Sequence, residues 1–227
     1  MPTQPYFNKS RQRVPSVTTI LGRFKDSGGL IWWAYNTGVD HGHRQANGDP
    51  DAPTNLYEET KKACDVGTAV HARVEEYLKG EPISDWPHEF SDEQVGHANS
   101  AWGAFLEWWS SSMFQVVEQE IPLVHPTLGF GGTPDAICLV NGKYVMVDWK
   151  TSNGTYPDHL LQVAAYAAMW NRRFPKMRIE GHHLCRFAKE NGDFSHLYLP
   201  DLSNEWEMFK HLRKAYDLDK LVKKRTR

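Results

Sequence analysis

The sequence predicts an α/β protein in which a central mixed sheet, containing an antiparallel hairpin, is flanked by helices. Three observations carry that expectation. Residues 131–152 hold two β-rich runs, GGTPDAICLV and KYVMVDWKTS, joined by Asn141-Gly142, and Asn-Gly between such runs is the strongest short-range hairpin signal because both turn positions favour positive φ. Segments with helical periodicity lie on either side of that hairpin, and two further β-rich runs follow. Hydrophobic residues make up 40% of the 227, with 9 Trp, 9 Tyr and 10 Phe, enough to exclude a disordered chain and to build a substantial core.

Taken in order, the chain predicts a first helix over residues 16–24, with Ser16 as N-cap after Pro15. Residues 36–60, rich in Gly, Asn, Asp and Pro, predict a long polar loop. The next helix spans 68–79 and ends at Gly80, with Val70, Val74, Tyr77 and Leu78 as its buried stripe and His71 and Glu75 one turn apart beside it. A third covers 92–111, with apolar or aromatic side chains at 95, 98, 102, 105, 106 and 109. Residues 115–124 predict a strand leading to the hairpin. Pro157 and Asp158 open a helix that stops near Arg173, strands follow at 178–187 and 194–199, and a last helix starts near Asn204. The whole chain, 1–227, is expected to form one domain with an N-terminal helical part (14–112) and a basic C-terminal helix and tail (204–227).

The hairpin places the chemistry. A two-residue loop at Asn141-Gly142 sets Val140 opposite Lys143, and the same register sets Asp135 opposite Asp148, with Cβ atoms about 4.5–5.5 Å apart. Lys150 shares the face of Asp148, and Trp149 between them points to the opposite face, into the core. Like charges opposed in an apolar sheet need a compensating partner, for which a divalent cation is the natural candidate. A bulge at Pro134 would shift this register by one residue.

An aspartate on one strand and Asp-x-Lys on the next, starting from the literal Pro134-Asp135, resembles the PD-(D/E)XK nuclease superfamily. Gln162 and Tyr166, one turn apart in HLLQVAAYAAMW, and His71 in GTAVHARVEEYLKG are similar to the RecB-like branch. The wording VDWKTS followed by LQVAAY, with PSVTTIL upstream, is most similar to mitochondrial genome-maintenance exonucleases and related phage exonucleases. The resemblance implies a restriction-endonuclease-like core and a metal-dependent deoxyribonuclease. It implies Asp135, Asp148, Lys150, Gln162 and Tyr166 as catalytic residues. It also implies Mg²⁺ or Mn²⁺ held by His71, Asp135, Asp148 and the Trp149 carbonyl, with Glu120 as a further candidate ligand. The expected activity is exonucleolytic cleavage of DNA ends, with preference for single strands, in replication, repair, recombination or phage DNA processing. Two alternatives stay open: a flap- or branch-specific endonuclease, and a non-catalytic DNA-binding module or nuclease subunit that depends on a replication or recombination partner.

Other features narrow the chemistry. Cys64, Cys138 and Cys185 are widely spaced and cannot supply the four cysteines with which some RecB-like nucleases hold an iron–sulfur cluster, so none is expected. His41-Gly42-His43 and His182-His183-x-Cys185 lack zinc spacing and read as loop or strand-edge histidines. No run approaches the ~20 apolar residues of a membrane helix, and residues 1–14 contain no signal-peptide core. A cytoplasmic protein of a bacterial or phage-infected cell is therefore expected in preference to a mitochondrial one. Net charge is −2, but Lys210–Arg227 carries +6. Such an end binds phosphates by counterion release or is a solvated helix with a charged tail. Trp32-Trp33 and Trp108-Trp109 are candidates for stacking on unpaired bases, against core packing as the ordinary use of tryptophan.

Overall fold

A computed structural model describes residues 5–25, 28–50, 52–152 and 154–226, with Leu30 and Glu59 described in backbone alone. Among them the elements run β1 (Tyr6–Phe7), β2 (Arg13–Val14), α1 (Val17–Phe24), α2 (Gly28–Ala46), α3 (Leu56–Lys79), α4 (Asp92–Ser111), β3 (Gln115–Gln119), β4 (Leu123–His125), β5 (Phe130–Gly132), β6 (Ala136–Val140), β7 (Lys143–Lys150), α5 (Pro157–Arg173), β8 (Ile179–Phe187), β9 (Phe194–Leu199) and α6 (Ser203–Lys223). Arg227, the last residue of the basic tail, lies outside the described residues.

The central sheet has the order β3-β6-β7-β8-β9. Its pairs are antiparallel except β7–β8, which is parallel and therefore needs a crossover, supplied by α5. Period-2 alternation divides the core. Ile137, Met146 and Leu184 face α1, α5 and α6, where they meet Ile20, Trp170 and Phe209. Val145, Val147 and Trp149 face α3 and α4, where Val70, Val74, Phe105 and Trp108 pack. Trp149 is thus core, as its strand parity requires.

The hairpin register is as the turn dictates. Val140 pairs Lys143 and Ala136 pairs Val147, with Asn141 at φ 51° and Gly142 at φ 76°. The ladder stops one step short of the expected Asp135–Asp148 pair. Pro134 has no N–H to continue it, and Asp135 instead turns its carboxylate onto the strand opposite, where Oδ2 accepts the Trp149 N–H at 2.7 Å.

Several boundaries differ from expectation. Residues 36–60 are largely helical: α2 runs to Ala46 and α3 begins at Leu56, so the polar loop shrinks to the segment around Pro50 and Pro53. Gly38 and Gly42 meet no neighbouring atom. A glycine on an exposed helix costs about 1 kcal/mol without breaking it, and Asn55 caps the restart by accepting the Glu58 N–H at 3.1 Å. In α3 the inward stripe of Val70 and Val74 extends one turn back to Val66, with Leu78 packed partly buried against it, while Tyr77 is exposed and sets its ring edge-on to Trp102. In α4 the buried row is Ala98, Ala101, Phe105 and Trp108, so of the paired tryptophans Trp108 enters the core and Trp109 stays half-buried.

The expected strand over 115–124 divides. β3 ends at Gln119, Glu120 takes φ 48°, and β4 leaves to pair with β5 in a separate two-stranded sheet. Strands of two or three residues such as β1, β2, β4 and β5 are too short to show a period in sequence. His182 and His183 lie in β8, second from the edge of the sheet, and are buried, and His41 is buried on α2.

Candidate active site

Asp148 and Lys150 share the strand parity of Met146 and so face α5, beside the end of the hairpin. Asp148 is 1% exposed. Its Oδ2 lies 2.5 Å from the Lys150 ammonium, while Oδ1 is buried without a hydrogen-bond partner. Burial raises the Asp148 carboxyl to about 6, against the pull of Lys150 and with the push of Asp135. Asp135 is likewise raised by burial, with Lys150 and the Trp149 N–H opposing. Burial acts to lower Lys150, but the two aspartates outweigh it and the ammonium is held above its usual range.

A second group of side chains converges from other elements. His71, Glu120 and Asp135 offer donor atoms that all lie within 4.8 Å of one another, with His71 Nδ1 3.8 Å from Asp135 Oδ1. The valine stripe of α3 fixes His71. One turn before it, Gly67 lets the helix approach the end of β7, since a Cβ there would stand 2.8 Å from Thr151 Oγ1. Burial and the nearby Lys150 lower the His71 imidazole to about 4, so it is neutral at pH 7 with a lone pair to give. Glu120 reaches the group through its own left-handed backbone, φ 48°, immediately after β3. Burial, then Asp135 and Glu75, raise its carboxyl to about 8. Glu75 is outside this group, its carboxylate 2.5 Å from Lys79.

Crowded acids, a neutral imidazole and an orphaned carboxylate oxygen form a donor set suited to a divalent cation. Buried carboxylates remain charged in such surroundings only when paired. The trio contains Glu120 and omits Asp148, which stands beside it through Lys150 and Asp135.

From α5, Gln162 and Tyr166 meet each other: the Gln162 amide donates to the Tyr166 hydroxyl at 2.9 Å. Tyr166 is buried, and its ring fits because position 132 is glycine, where a Cβ would lie 2.3 Å from Cε1. Burial raises its phenol, so the hydroxyl stays protonated and can donate. Two residues escaped sequence reasoning. His159, one turn before Gln162, accepts the Tyr156 N–H at Nδ1 (3.3 Å) and is lowered to about 4 by burial, then by Lys150 and Lys25. Its i, i+3 spacing from Gln162 was the available signal. Tyr6 donates to or accepts from Thr133 Oγ1 at 2.9 Å, a contact no local pattern announces.

The mixed α/β sheet and the acidic, lysine-bearing hairpin end define a nuclease class. Residues 41–191, more than half of the chain, match the PD-(D/E)XK nuclease superfamily, and the chain belongs to that superfamily. Its members use divalent metal ions, so this is a metal-dependent nuclease with DNA as its substrate class. Similar solved structures include a candidate exonuclease from Eubacterium rectale, with 11% identity, 76% of this chain and 73% of that chain covered and a TM-score of 0.44. Another is the alkaline exonuclease LHK-Exo from Laribacter hongkongensis, with 15% identity, 73% and 91% covered and a TM-score of 0.37; the same enzyme in complex with dAMP gives 0.38. No curated protein matches the chain. Among the described residues, no helix is long and apolar enough to cross a membrane.

Proposed function

We propose that the chain, acting as one nuclease domain, is an exonuclease that hydrolyses phosphodiester bonds from DNA ends, with preference for single strands and with Mg²⁺ or Mn²⁺ as cofactor. The observation that carries the catalytic assignment is the buried Asp148, one oxygen against Lys150 and the other free, next to the His71–Glu120–Asp135 trio. Exonuclease action rests on the similarity of VDWKTS and LQVAAY to genome-maintenance and phage exonucleases.

In this reading Asp135, Asp148, His71 and the Trp149 carbonyl hold the cation, with Glu120 completing the set, and the imidazole nitrogen favours Mn²⁺ over Mg²⁺. When bound, the cation lowers the pKa of water and offsets charge on the phosphate. Lys150, held as an ammonium by the two aspartates, orients the attacking water and offsets negative charge on the phosphate. The protonated Tyr166 hydroxyl, its lone pair already engaged by Gln162, donates to a phosphate oxygen. Trp149 N–H fixes the Asp135 carboxylate, leaving Oδ1 turned toward His71.

The test uses 5′- and 3′-labelled single-stranded, duplex and circular DNA in Mg²⁺, Mn²⁺ or EDTA, beside Asp148→Ala. Metal-dependent loss of linear single strands with circles spared is expected, together with an inactive variant. Cut circles would replace the exonuclease with an endonuclease. DNA binding without cleavage would leave a non-catalytic or partner-dependent protein.

A further inference from the structure

Helix α6 lies against α1, and between them runs a groove that the hairpin site does not use. Its inner part, a cavity of about 390 Å³, is lined by Tyr6, Arg13, Ser16, Thr19, Tyr216 and Lys220. Thr19, Tyr216 and Lys220 also line a second cavity of about 830 Å³, which continues along α6 past Arg23, Lys223 and Lys224. The two are one groove with five cationic side chains.

Its acids leave most of that charge uncompensated. Asp219 is shared between Arg23 at 2.8 Å and Lys223 at 3.2 Å, and Asp217 is held by Arg213 at 2.6 Å. Among the described residues no carboxylate pairs with Arg13, Lys220 or Lys224. The Lys220 ammonium rests over the Tyr216 ring, 4.8 Å from its centroid, which orients the cation without neutralising it. Tyr6 ties the inner wall to the segment that carries Asp135. Tyr6 packs over Gly131, where a Cβ would lie 2.4 Å from its ring, and its hydroxyl bonds Thr133, two residues before Asp135.

We propose that the α1–α6 groove is a phosphate track that holds the backbone of a nucleic-acid strand outside the catalytic centre, with Arg13 and Lys220 as its inner contacts. This rests on the nuclease reading above. A row of cations on a groove joined through Tyr6 and Thr133 to the segment carrying Asp135 fits a polyanion extending several nucleotides from the cut, bound through counterion release.

The experiment measures binding of a labelled 30-nucleotide single strand in EDTA across a salt series, with the parent protein and Arg13→Gln/Lys220→Gln. Losing two phosphate contacts is expected to lower the salt slope by about 1.4, at ~0.7 per contact, while hydrolysis of the p-nitrophenyl ester of thymidine 5′-monophosphate in Mn²⁺ stays unchanged. Lys220→Gln/Lys224→Gln provides a second, fully surface-located variant, expected to act in the same direction. An unchanged slope and affinity in both variants would overturn the track, and lost binding of poly-glutamate alongside would reassign the groove to an acidic protein partner. A parent that binds DNA yet cleaves nothing defeats the nuclease reading without touching the slope measurement, so the two failures are distinguishable.

Discussion

Lys150 and Asp148 differ in what their loss should do. Lys150→Ala removes the partner of the buried Asp148 carboxylate and, on the proposed mechanism, a cation from the reaction; cleavage is then expected to fall by about 10²–10³-fold, the range for one electrostatic stabiliser. Single-turnover rates at saturating Mn²⁺ check this, and near-parental activity would remove Lys150 from the mechanism. The Glu120 carboxyl makes a separate prediction for the metal-free protein. Its folded value of about 8 lies above the ordinary 4.5, so the folded form keeps a proton that the unfolded form has lost, and stability declines as pH rises through that window. His71, lowered from 6.5 to about 4, acts oppositely, withdrawing stability as pH falls between those values. Of these two groups, only Glu120 acts above pH 6.5. In EDTA the Tm of the parent should fall from pH 6.5 to 8.5, and Glu120→Gln should flatten that slope; parallel curves would show that Glu120 is already ionised.

At the level of elements, the approach of α5 to β5 hinges on position 132. Gly132→Ala sets a methyl against the buried Tyr166 ring, and overpacking of this kind costs about 1–3 kcal/mol. A lower denaturation midpoint together with reduced cleavage is expected, whereas Tyr166→Phe should reduce cleavage with a smaller change in midpoint. The same element explains what the sequence made legible. Asn141-Gly142 carried the hairpin register, so Asp148, Lys150 and the inward Trp149 followed by counting along a strand of period two. Ser16, Gly80, Pro157 and the aromatic periodicity of α4 marked helix ends and extents because caps and breakers act locally. What stayed hidden was non-local or compositionally masked. The second half of α2, residues 36–46, is mostly polar and largely exposed, so its glycines and asparagine looked like loop. Glu120 is a candidate ligand from the sequence, but the left-handed conformation at its own position just after β3, which brings it to His71 and Asp135, left no local signal, and the β4–β5 pairing that follows joins strands too short to leave a pattern.

For the molecule as a whole, the sheet is a partition with α1, α5 and α6 packed on one side and α3, α4 and the Phe105–Trp108–Trp149 aromatic cluster on the other, and the candidate metal donors are gathered from α3, the residue after β3 and the hairpin. A cation bound by the folded chain and not by the unfolded one stabilises it by mass action, about 2.7 kcal/mol at a hundredfold excess over Kd. Adding Mn²⁺ should therefore raise Tm, and Glu120→Gln and His71→Ala should each diminish that rise; an equal rise in both variants would place the ion elsewhere. Trp149 crosses the partition. Its indole packs edge-on to Phe105, 5.8 Å between ring centroids, while its own amide hydrogen is bonded to Asp135 on the acidic side. That amide is a built-in spectroscopic gauge. Its ¹H–¹⁵N resonance should shift as Asp135 gains or loses charge, and its exchange with solvent deuterium should slow when a cation fixes the carboxylate, so site occupancy can be read from the backbone without any substrate.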